Sequence, residues 1–478
     1  MGRWYNPDDF VTQYPGVYPE KIKGAMDEFF AVVEKINSTE VTGADVVAGK
    51  VTEPKLSGKF TLTEEMAHYF NEKYAPDYKL NLDKETAKRY GYKDIFAMLG
   101  MTASDECYNF MPPRESRDTV LVSQISSEIE NFRPFYVGDT IYMVRDKVEV
   151  HDLTPDEGSV YRHVHTKNYG TVYNQNGEVV TKCMFSLMES TKTYKDECLP
   201  KARKDFGFPD FWEDPDWRAR PMHKYTDKDY DKLKEIWKNE INRKDEILYW
   251  EDAKLGEFLP LGTFGVIKDG VIPLYPYGMG VGGSRNLKEY FLNPETEKQM
   301  ITDAQTGIKL MPNPEINTPK LPEGIELPKM DTAEPPKEGA DVNTADVHGG
   351  PELRNALLNL FGRDVQIAYV EKYAGYHGRV KGIKWNIMPA DTHAALGKRV
   401  PVFPDYVNYL KKVPGKANET QTAHGLTTDA AIVHGYVYKK DVVGEDFVLT
   451  LLTWIEDMDA NPWSSAQIDI VLPSKNKK

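Results

Sequence analysis

One order of secondary-structure signals is written twice along this chain, and that doubling limits what it can fold into. A helical pattern is followed in each half by a run of segments that alternate apolar and polar side chains. In the first half an amphipathic helix at 20–36 places Ile22, Met26, Phe29, Phe30, Val33 and Ile36 on one face. A second helix is expected at 84–99, then strands at 118–126, 140–150 and 158–174. Asn176-Gly177 marks a tight hairpin into Val179, Val180 and Met184. In the second half a helix at 351–361, carrying Leu353, Leu357, Leu360 and Phe361, precedes strands near 379–388, 430–440, 446–456 and 465–473.

Local segments repeat with the same period. Tyr173-Asn174-Gln175-Asn176-Gly177-Glu178 is echoed by Glu456-Asp457-Met458-Asp459-Ala460-Asn461-Pro462, and Gly138-Asp139-Thr140 is matched to Ala390-Asp391-Thr392. A long-period repeat of a helix-plus-antiparallel-sheet unit implies two like domains packed as an internal pseudo-dimer. We expect a first unit at 1–205, a helical connector at 206–246 whose helix at about 226–244 opens on a Thr226/Asp229 capping box, and a second unit at 247–478. Residues 247–270 read as strand-like. The second unit carries a long proline-rich insertion at about 294–345, which reads between 311 and 340 as an extended loop.

A chain of 478 residues needs more than one core. Its 74 acidic against 60 basic residues give a formal charge of -14, which argues against a nucleic-acid partner while allowing a local pocket for an anionic ligand. Cys107, Cys183 and Cys198 lack the spacing of a disulfide framework or a thiolate zinc site, so a reducing cytoplasm is expected. No stretch has the length and apolarity of a membrane span, and no membrane partner is expected.

The residue types that carry chemistry cluster ahead of the second helix. His348 stands before Gly349-Gly350-Pro351-Glu352 and follows Asp341, Asn343 and Asp346. Proline suits a first helical turn, and the positive end of a helix favours the neutral imidazole. A neutral imidazole beside a carboxylate exchanges protons near pH 7, as water addition at an activated double bond requires. Gly278-Met279-Gly280-Val281-Gly282-Gly283 satisfies the GxGxxG spacing, but Pro273 and Pro276 precede it and no βαβ alternation surrounds it. A tight turn, or backbone amides at Gly278, Gly280 and Gly283 close to a thioester oxygen or phosphate, is the better reading. His163 and His165 share one face of a strand without a third ligand, so no metal site is assigned. His424 and His434 either line a cavity of the second unit or sit in turns.

Taken together, these segments resemble the MaoC-like hot-dog family of acyl-CoA hydratases and dehydratases, in its long form with two hot-dog units in one chain. The segments that carry the resemblance are Gly158-Ser159-Val160-Tyr161-Arg162, Tyr173 to Val180, Tyr249-Trp250-Glu251-Asp252, Gly278 to Gly283, Tyr373-Ala374-Gly375 and Ile470-Val471-Leu472-Pro473-Ser474. The resemblance implies an α+β double hot-dog, two antiparallel sheets each wrapped around a central helix, with the site near the N-terminal end of such a helix. R-specific hydratases of the family carry Asp-x-Asn-Pro-x-His and then Asp-Pro-Glu-x-Ala. His348 and Pro351-Glu352 match, whereas Asn343 holds the place of the family's aspartate, with Asp341 and Asp346 to either side.

On that resemblance His348 is the acid/base group, Asp341 or Asp346 orients it or activates water, and Asn343 holds water or substrate. Amides around Gly349 and Gly350 would stabilise the thioester oxygen. In the first half Asn81-Leu82-Asp83-Lys84-Glu85-Thr86-Ala87 aligns with the same motif, and Asn81 stands where the histidine would be, so that half would wall the acyl chain or serve as a structural partner. The implied reaction is reversible addition of water to a 2-enoyl-CoA, with coenzyme A only as part of the substrate, no other cofactor, and either one chain or a homodimer as the working form. A hot-dog thioesterase and a non-catalytic acyl-CoA-binding or assembly subunit are the alternatives.

Overall fold

The computed structural model describes residues 20–102, 119–152, 161–192, 222–267, 272–274, 279–281, 285–320, 359–387, 428–460 and 462–476. Ten of its strands form one continuous antiparallel sheet built from two halves of identical order. The first half contains β1 (Leu56–Thr61), β2 (Thr119–Asn131), β3 (Thr140–Asp152), β4 (Tyr161–Asn174) and β5 (Val179–Lys192), arranged β1-β3-β4-β5-β2. The second half uses β6 (Gly262–Val266), then β11 (Arg379–Ile387), β12 (Ala430–Val443), β13 (Asp446–Glu456) and β14 (Pro462–Leu472), arranged β6-β12-β13-β14-β11. Between them, in chain order, lie two small hairpins, β7 (Ile272–Leu274) with β8 (Met279–Val281) and β9 (Ile301–Thr302) with β10 (Lys309–Leu310).

The halves join where β2 runs antiparallel to β11, with Glu128 opposite Lys384 and Ser127 opposite Trp385. This strand order, given twice and joined at equivalent strands, is the double hot-dog.

The repeat is visible at its turns. The Tyr173–Glu178 segment is the β4–β5 turn and Glu456–Pro462 is the β13–β14 turn, in the same place of the two units. Gly177, at φ 74°, sits in the first of them, as the Asn-Gly signal required. The pairing of Gly138-Asp139-Thr140 with 390–392 is corrected by topology. Thr140 opens β3, and its counterpart Ala430 opens β12, so the true equivalent is Thr428-Asp429-Ala430. The Leu62 and Ile267 amides donate to the Asp139 and Asp429 carbonyls in turn, and Gly138 (φ 86°) matches Thr428 (φ 80°). Residues 390–392 lie outside the described residues.

The helices differ between the units. The first has α1 (Glu20–Ser38), α2 (Gly43–Val47), α3 (Glu64–Tyr74), α4 (Lys84–Arg89) and α5 (Leu99–Thr102). In α1, Phe29, Phe30, Val33 and Ile36 pack on Val148 and Val150 of β3, as the apolar stripe predicted. The expected helix at 84–99 is not continuous. Asp83 caps α4, but the chain leaves the helix at Tyr90 and Gly91, which lies at φ 88°. Phe96 then bridges Tyr136, and helix resumes only at Leu99.

Of the helix expected at 351–361 in the second unit, residues 351–358 lie outside the described residues; the described helix, α10 below, runs Asn359–Ala374 and so continues past the expected end. Gly362-Arg363-Asp364 has the composition of a helix end, yet all three positions are buried and the helix runs through them. α10 lies across β11, β12, β13 and β14 and also touches α3 and α5. Its Val365, Ala368 and Tyr369 join Trp385, Leu451 and Ile468 in the main core, each large apolar side chain contributing about 1.5–3 kcal/mol by burial.

The connector helix α6 (Asp227–Asn239) has the Thr226/Asp229 capping box, with Asp229 Oδ2 accepting from the Thr226 amide at 2.8 Å. It ends before 244 because Glu240 turns into a buried ion-pair network. The first part of the proline-rich insertion is also more ordered than expected. α7 (Lys288–Leu292), α8 (Pro294–Glu297), the β9–β10 hairpin and α9 (Pro314–Asn317) occupy this stretch, and Leu287, Phe291 and Ile308 share a satellite core with Tyr230, Leu233 and Trp237 of α6. Residues 247–261, expected as strand, are irregular but anchored. Trp250 Nε1 donates to the Val448 carbonyl, and Glu251 accepts from Ser474 Oγ, which clips the Tyr249–Asp252 segment to the Pro473-Ser474 end of the chain.

Candidate functional site

Most residues singled out in the sequence lie outside the described residues: His348, Asp341, Asp346, Asn343, Gly349, Gly350, Gly278 and Gly283, as well as His424. Gly280 lies in β8, opposite Pro273 of β7 in an antiparallel hairpin. That pairing is incompatible with the parallel βαβ setting of a dinucleotide loop. His165 is paired with His151 across β3 and β4. His434 is in neither turn nor main cavity. It lies on β12, stacked on Trp454 with ring centroids 4.8 Å apart and its Nε2 3.2 Å from Glu456 Oε2, on the sheet face opposite α10.

Asn81 is fully buried in a short 3-10 turn, Lys79–Asn81. Its backbone carbonyl accepts from Asn71 Nδ2 at 2.8 Å, and Asn71 also holds the Phe96 carbonyl and the Met98 amide. The Asn81 side chain has no hydrogen-bond partner among the described residues at either Oδ1 or Nδ2. An unsatisfied buried amide costs about 1–3 kcal/mol.

The strongest concentration of displaced pKa values lies where α10 meets α3 and α5. Arg363 and Asp364 are both about 1 % exposed, with Arg363 Nε 3.0 Å from Asp364 Oδ1 and Arg363 Nη2 donating to the Gly100 carbonyl at 3.2 Å. The helices approach so closely that a Cβ at Gly100 would stand 2.1 Å from Asp364 Oδ1. Across this seam the Lys73 ammonium lies 5.3 Å from the Tyr74 ring centroid and 5.7 Å from that of Phe361. Burial pulls the Lys73 amine down to about 7, against the attraction of Asp364. Burial likewise raises the Asp364 carboxyl although Arg363 opposes it. Two turns further along the same face of α10, burial and then the Asp364 charge push Glu371 up to about 8.

A second charged network locks the same helix to the connector. Lys288 reaches Asp77 and Glu240, each at 2.7 Å, and Lys372 reaches Glu240 at 2.6 Å. Burial would raise Asp77, but Lys372 and Lys288 outweigh it and hold the carboxylate low. A third, uncharged network fastens α10 to its sheet. Gln366 donates to Ser464 Oγ at 2.9 Å and accepts from Thr453 Oγ1 at 2.8 Å, while Trp385 Nε1 donates to the same Ser464 oxygen at 2.8 Å.

Groups titrating near neutrality can move protons, but Lys73, Arg363 and Asp364 are enclosed on all sides. Two small cavities beside this region, one lined by Tyr230, Trp237 and Phe291 and one by Tyr74, Glu240 and Lys372, hold about one water each. The seam therefore sets the position of α10 and stores charge beside it. In the sequence Lys73, Asp364 and Glu371 look like solvent-facing charges; the available signal is the seven-residue spacing that puts Asp364 and Glu371 on one face of the helix.

No protein-family description matches the chain, and no curated protein matches it. Solved structures do. A MaoC-like dehydratase aligns over 88 % of this chain and 97 % of its own, at 11 % identity and TM-score 0.43. A putative MaoC domain protein dehydratase from Chloroflexus aurantiacus covers 88 % and 95 % at 11 % identity and TM-score 0.42. A conserved hypothetical protein from Mycobacterium tuberculosis, described as having a double hotdog fold, covers 90 % and 98 % at 10 % identity and TM-score 0.42.

Proposed function

We propose that this protein is an acyl-CoA hydratase or dehydratase, adding water reversibly to a 2-enoyl-CoA to give the 3-hydroxyacyl-CoA. The observation that supports it is the asymmetry of the double hot-dog. One unit is built around a long buried helix, α10, and it is in this unit that His348-Gly349-Gly350-Pro351-Glu352 precedes the helix in sequence. In the proposed reaction His348 takes a proton from water, the water oxygen bonds to C3, and the electron pair of the double bond moves towards the thioester oxygen. A proton then returns to C2, so that one water is added and no oxidant or reductant is used. Asp341 or Asp346 would orient the imidazole, Asn343 would hold the water, and the Gly349 and Gly350 amides would face the developing oxyanion. Three locked contacts of α10 (to its sheet through Gln366, to α5 through Arg363, and to the connector through Lys372) support a rigid base for such a site.

No helix among the described residues is long and apolar enough to cross a membrane. We place the protein in the cytoplasm, acting alone or as a homodimer. The test is a panel of 2-enoyl-CoA thioesters followed by loss of the enoyl absorbance, with thiol release measured in parallel. Hydration without thiol release is expected. Thiol release would turn the reading to a thioesterase, and tight binding of every thioester with no turnover would turn it to a binding subunit.

A further inference from the structure

The two units present different chemistry on equivalent positions of their inner faces. In the first unit the cross-strand row Ser127, Phe185, Asn168 and Val148 runs from the sheet junction outward through β2, β5, β4 and β3. Applying the repeat, the equivalent row in the second unit is Ile383, Ile468, Leu451 and Val437. The second row is wholly apolar and belongs to the main core under α10. The first row alternates polar and apolar.

Asn168 and Ser127 are both 0 % exposed, and neither Asn168 Oδ1 and Nδ2 nor Ser127 Oγ has a hydrogen-bond partner among the described residues. Both side chains stand on the same sheet face as Phe185, because directly paired residues share a face. By contrast Ser126, on the opposite face of the same strand, bonds Ser186 at 2.8 Å, and Gln366 of α10 bonds Ser464 and Thr453. Leaving an asparagine with all of its hydrogen-bonding capacity unmatched costs about 1–3 kcal/mol, where leucine in the sister unit carries no such cost.

We infer that Asn168 and Ser127 form a polar subsite on the inner face of the first unit, which receives an oxygen-bearing group on the acyl portion of the substrate. The inference rests on the acyl-CoA reading above and adds a substrate class to it: thioesters whose acyl group carries a hydroxyl or keto oxygen distant from the reacting carbons. Asn168 can both donate to and accept from such a group, and Ser127 can do the same across two strand spacings, roughly 9.5 Å of backbone. Phe185 lies between them as an apolar surface for intervening hydrocarbon, and Val148, packed against α1, closes the row.

The test uses the full chain and isothermal titration of saturated acyl-CoAs, which bind without reacting. A series of hydroxyacyl-CoAs, with the hydroxyl moved along the chain, is compared with the unsubstituted acyl-CoA of equal length. At least one hydroxylated member should bind about tenfold more tightly than its unsubstituted partner, and Asn168→Leu, which installs the sister unit's residue, should abolish that preference while leaving the unsubstituted ligand's affinity unchanged. Ser127→Ala, a smaller change, provides the same comparison should Asn168→Leu not fold. Equal affinities across the whole series in the native protein, or an undiminished preference in a folded Asn168→Leu and in Ser127→Ala, would overturn the subsite and leave the hydratase reading standing. An Asn168-dependent preference in a protein that hydrates no enoyl-CoA would instead retain the subsite and remove the reaction.

Discussion

The second unit is organised around one sixteen-residue helix, and the first around helices of eleven, six and four residues. Both support the same five-strand order, so the sheet and not the helix is what the repeat preserves. The difference shows where each unit can tolerate polarity. α10 is held by several paired contacts, such as Gln366 with Ser464 and Thr453, and Lys372 with Glu240. The first unit keeps Asn81, Asn168 and Ser127 buried and unmatched among the described residues. The second unit keeps such atoms too, at Glu371 Oε2, Trp463 Nε1 and Thr428 Oγ1, so the units differ in which groups are left unmatched: interior amides and a hydroxyl on the first sheet, a helix carboxylate in the second.

The sharpest way to break this comparison is to change the residue at the motif's histidine position in each half. On the proposed reaction His348→Ala should lower turnover about a hundredfold or more with melting temperature and acyl-CoA affinity nearly unchanged, the usual contribution of a positioned acid/base group. Asn81→Ala should change affinity or stability and spare the chemical step, since an amide does not exchange protons near neutrality. Single-turnover kinetics separate the two. Equal loss of the chemical step in both variants would end the division of labour.

Next in size is the contact that joins the halves. Gly100 has no room for a side chain, because Asp364 Oδ1 would meet its Cβ at 2.1 Å and Arg363 uses its carbonyl. Gly100→Val should therefore destabilise the protein by about 2–3 kcal/mol, read as a lowered denaturant midpoint. Gly91→Ala, at a turn with nothing near its Cβ but φ 88°, should cost only about 1 kcal/mol. If the two substitutions cost the same, the helix crossing is not the tight joint described.

The sequence made part of this visible, and the reasons are local. The apolar stripe of α1, the Thr226 capping box and the Asn176-Gly177 turn each depend on residues within a few positions of one another, and each appears where expected. The equivalence of the β4–β5 and β13–β14 turns was also legible, since both interrupt strong alternating runs. What failed depended on distant partners. Nothing beside Gly362-Arg363-Asp364 signals that α3 and α5 will bury them, and nothing near 390–392 reveals that Asp429 is the residue whose carbonyl bonds back to the first strand of its unit. The candidate site shows the same limit: His348 was chosen from its neighbours, while Lys73, Asp364 and Glu371 acquire their properties only in the packed seam.

That seam predicts a pH dependence belonging to the second unit's helix. Glu371 has its proton affinity raised to about 8 by burial and by Asp364, so the folded state holds a proton that the unfolded chain, near the ordinary glutamate value, releases. Its contribution to stability is full below the unfolded value and is lost as pH rises through about 8. Glu371→Gln should flatten stability across that window, removing about 1–3 kcal/mol of the decline in urea unfolding measured from pH 5 to pH 8. Lys73 has the opposite sense. Its amine is held down to about 7, so its adverse effect grows as pH falls from the unfolded lysine range towards 7. A profile that Glu371→Gln leaves unchanged would show that Glu371 is not protonated in the folded protein.

The smallest predicted effect tests the repeat itself. Gly138 and Thr428 occupy the same turn of the two units at φ 86° and φ 80°, a left-handed region that glycine enters freely and a β-branched residue enters only under strain. Thr428 is held there because its own amide donates to the Ile267 carbonyl, the Ile267 amide donates to the Asp429 carbonyl, and Tyr225 Oη donates to the Thr428 carbonyl at 2.7 Å. Its own Oγ1 is buried without a hydrogen-bond partner among the described residues, so the hydroxyl gives nothing back. Thr428→Gly should then relieve the strain and the unmatched hydroxyl, stabilising the protein by about 1 kcal/mol despite the greater freedom of glycine in the unfolded chain, whereas Gly138→Ala should destabilise it by a similar amount. Because the turns are far apart in sequence and share no partner, the two changes should add, and the double variant should melt close to the native protein. Thr428→Gly that destabilised as strongly as Gly138→Ala would mean that the two turns, though equivalent in topology, do not hold their backbones in the same conformation.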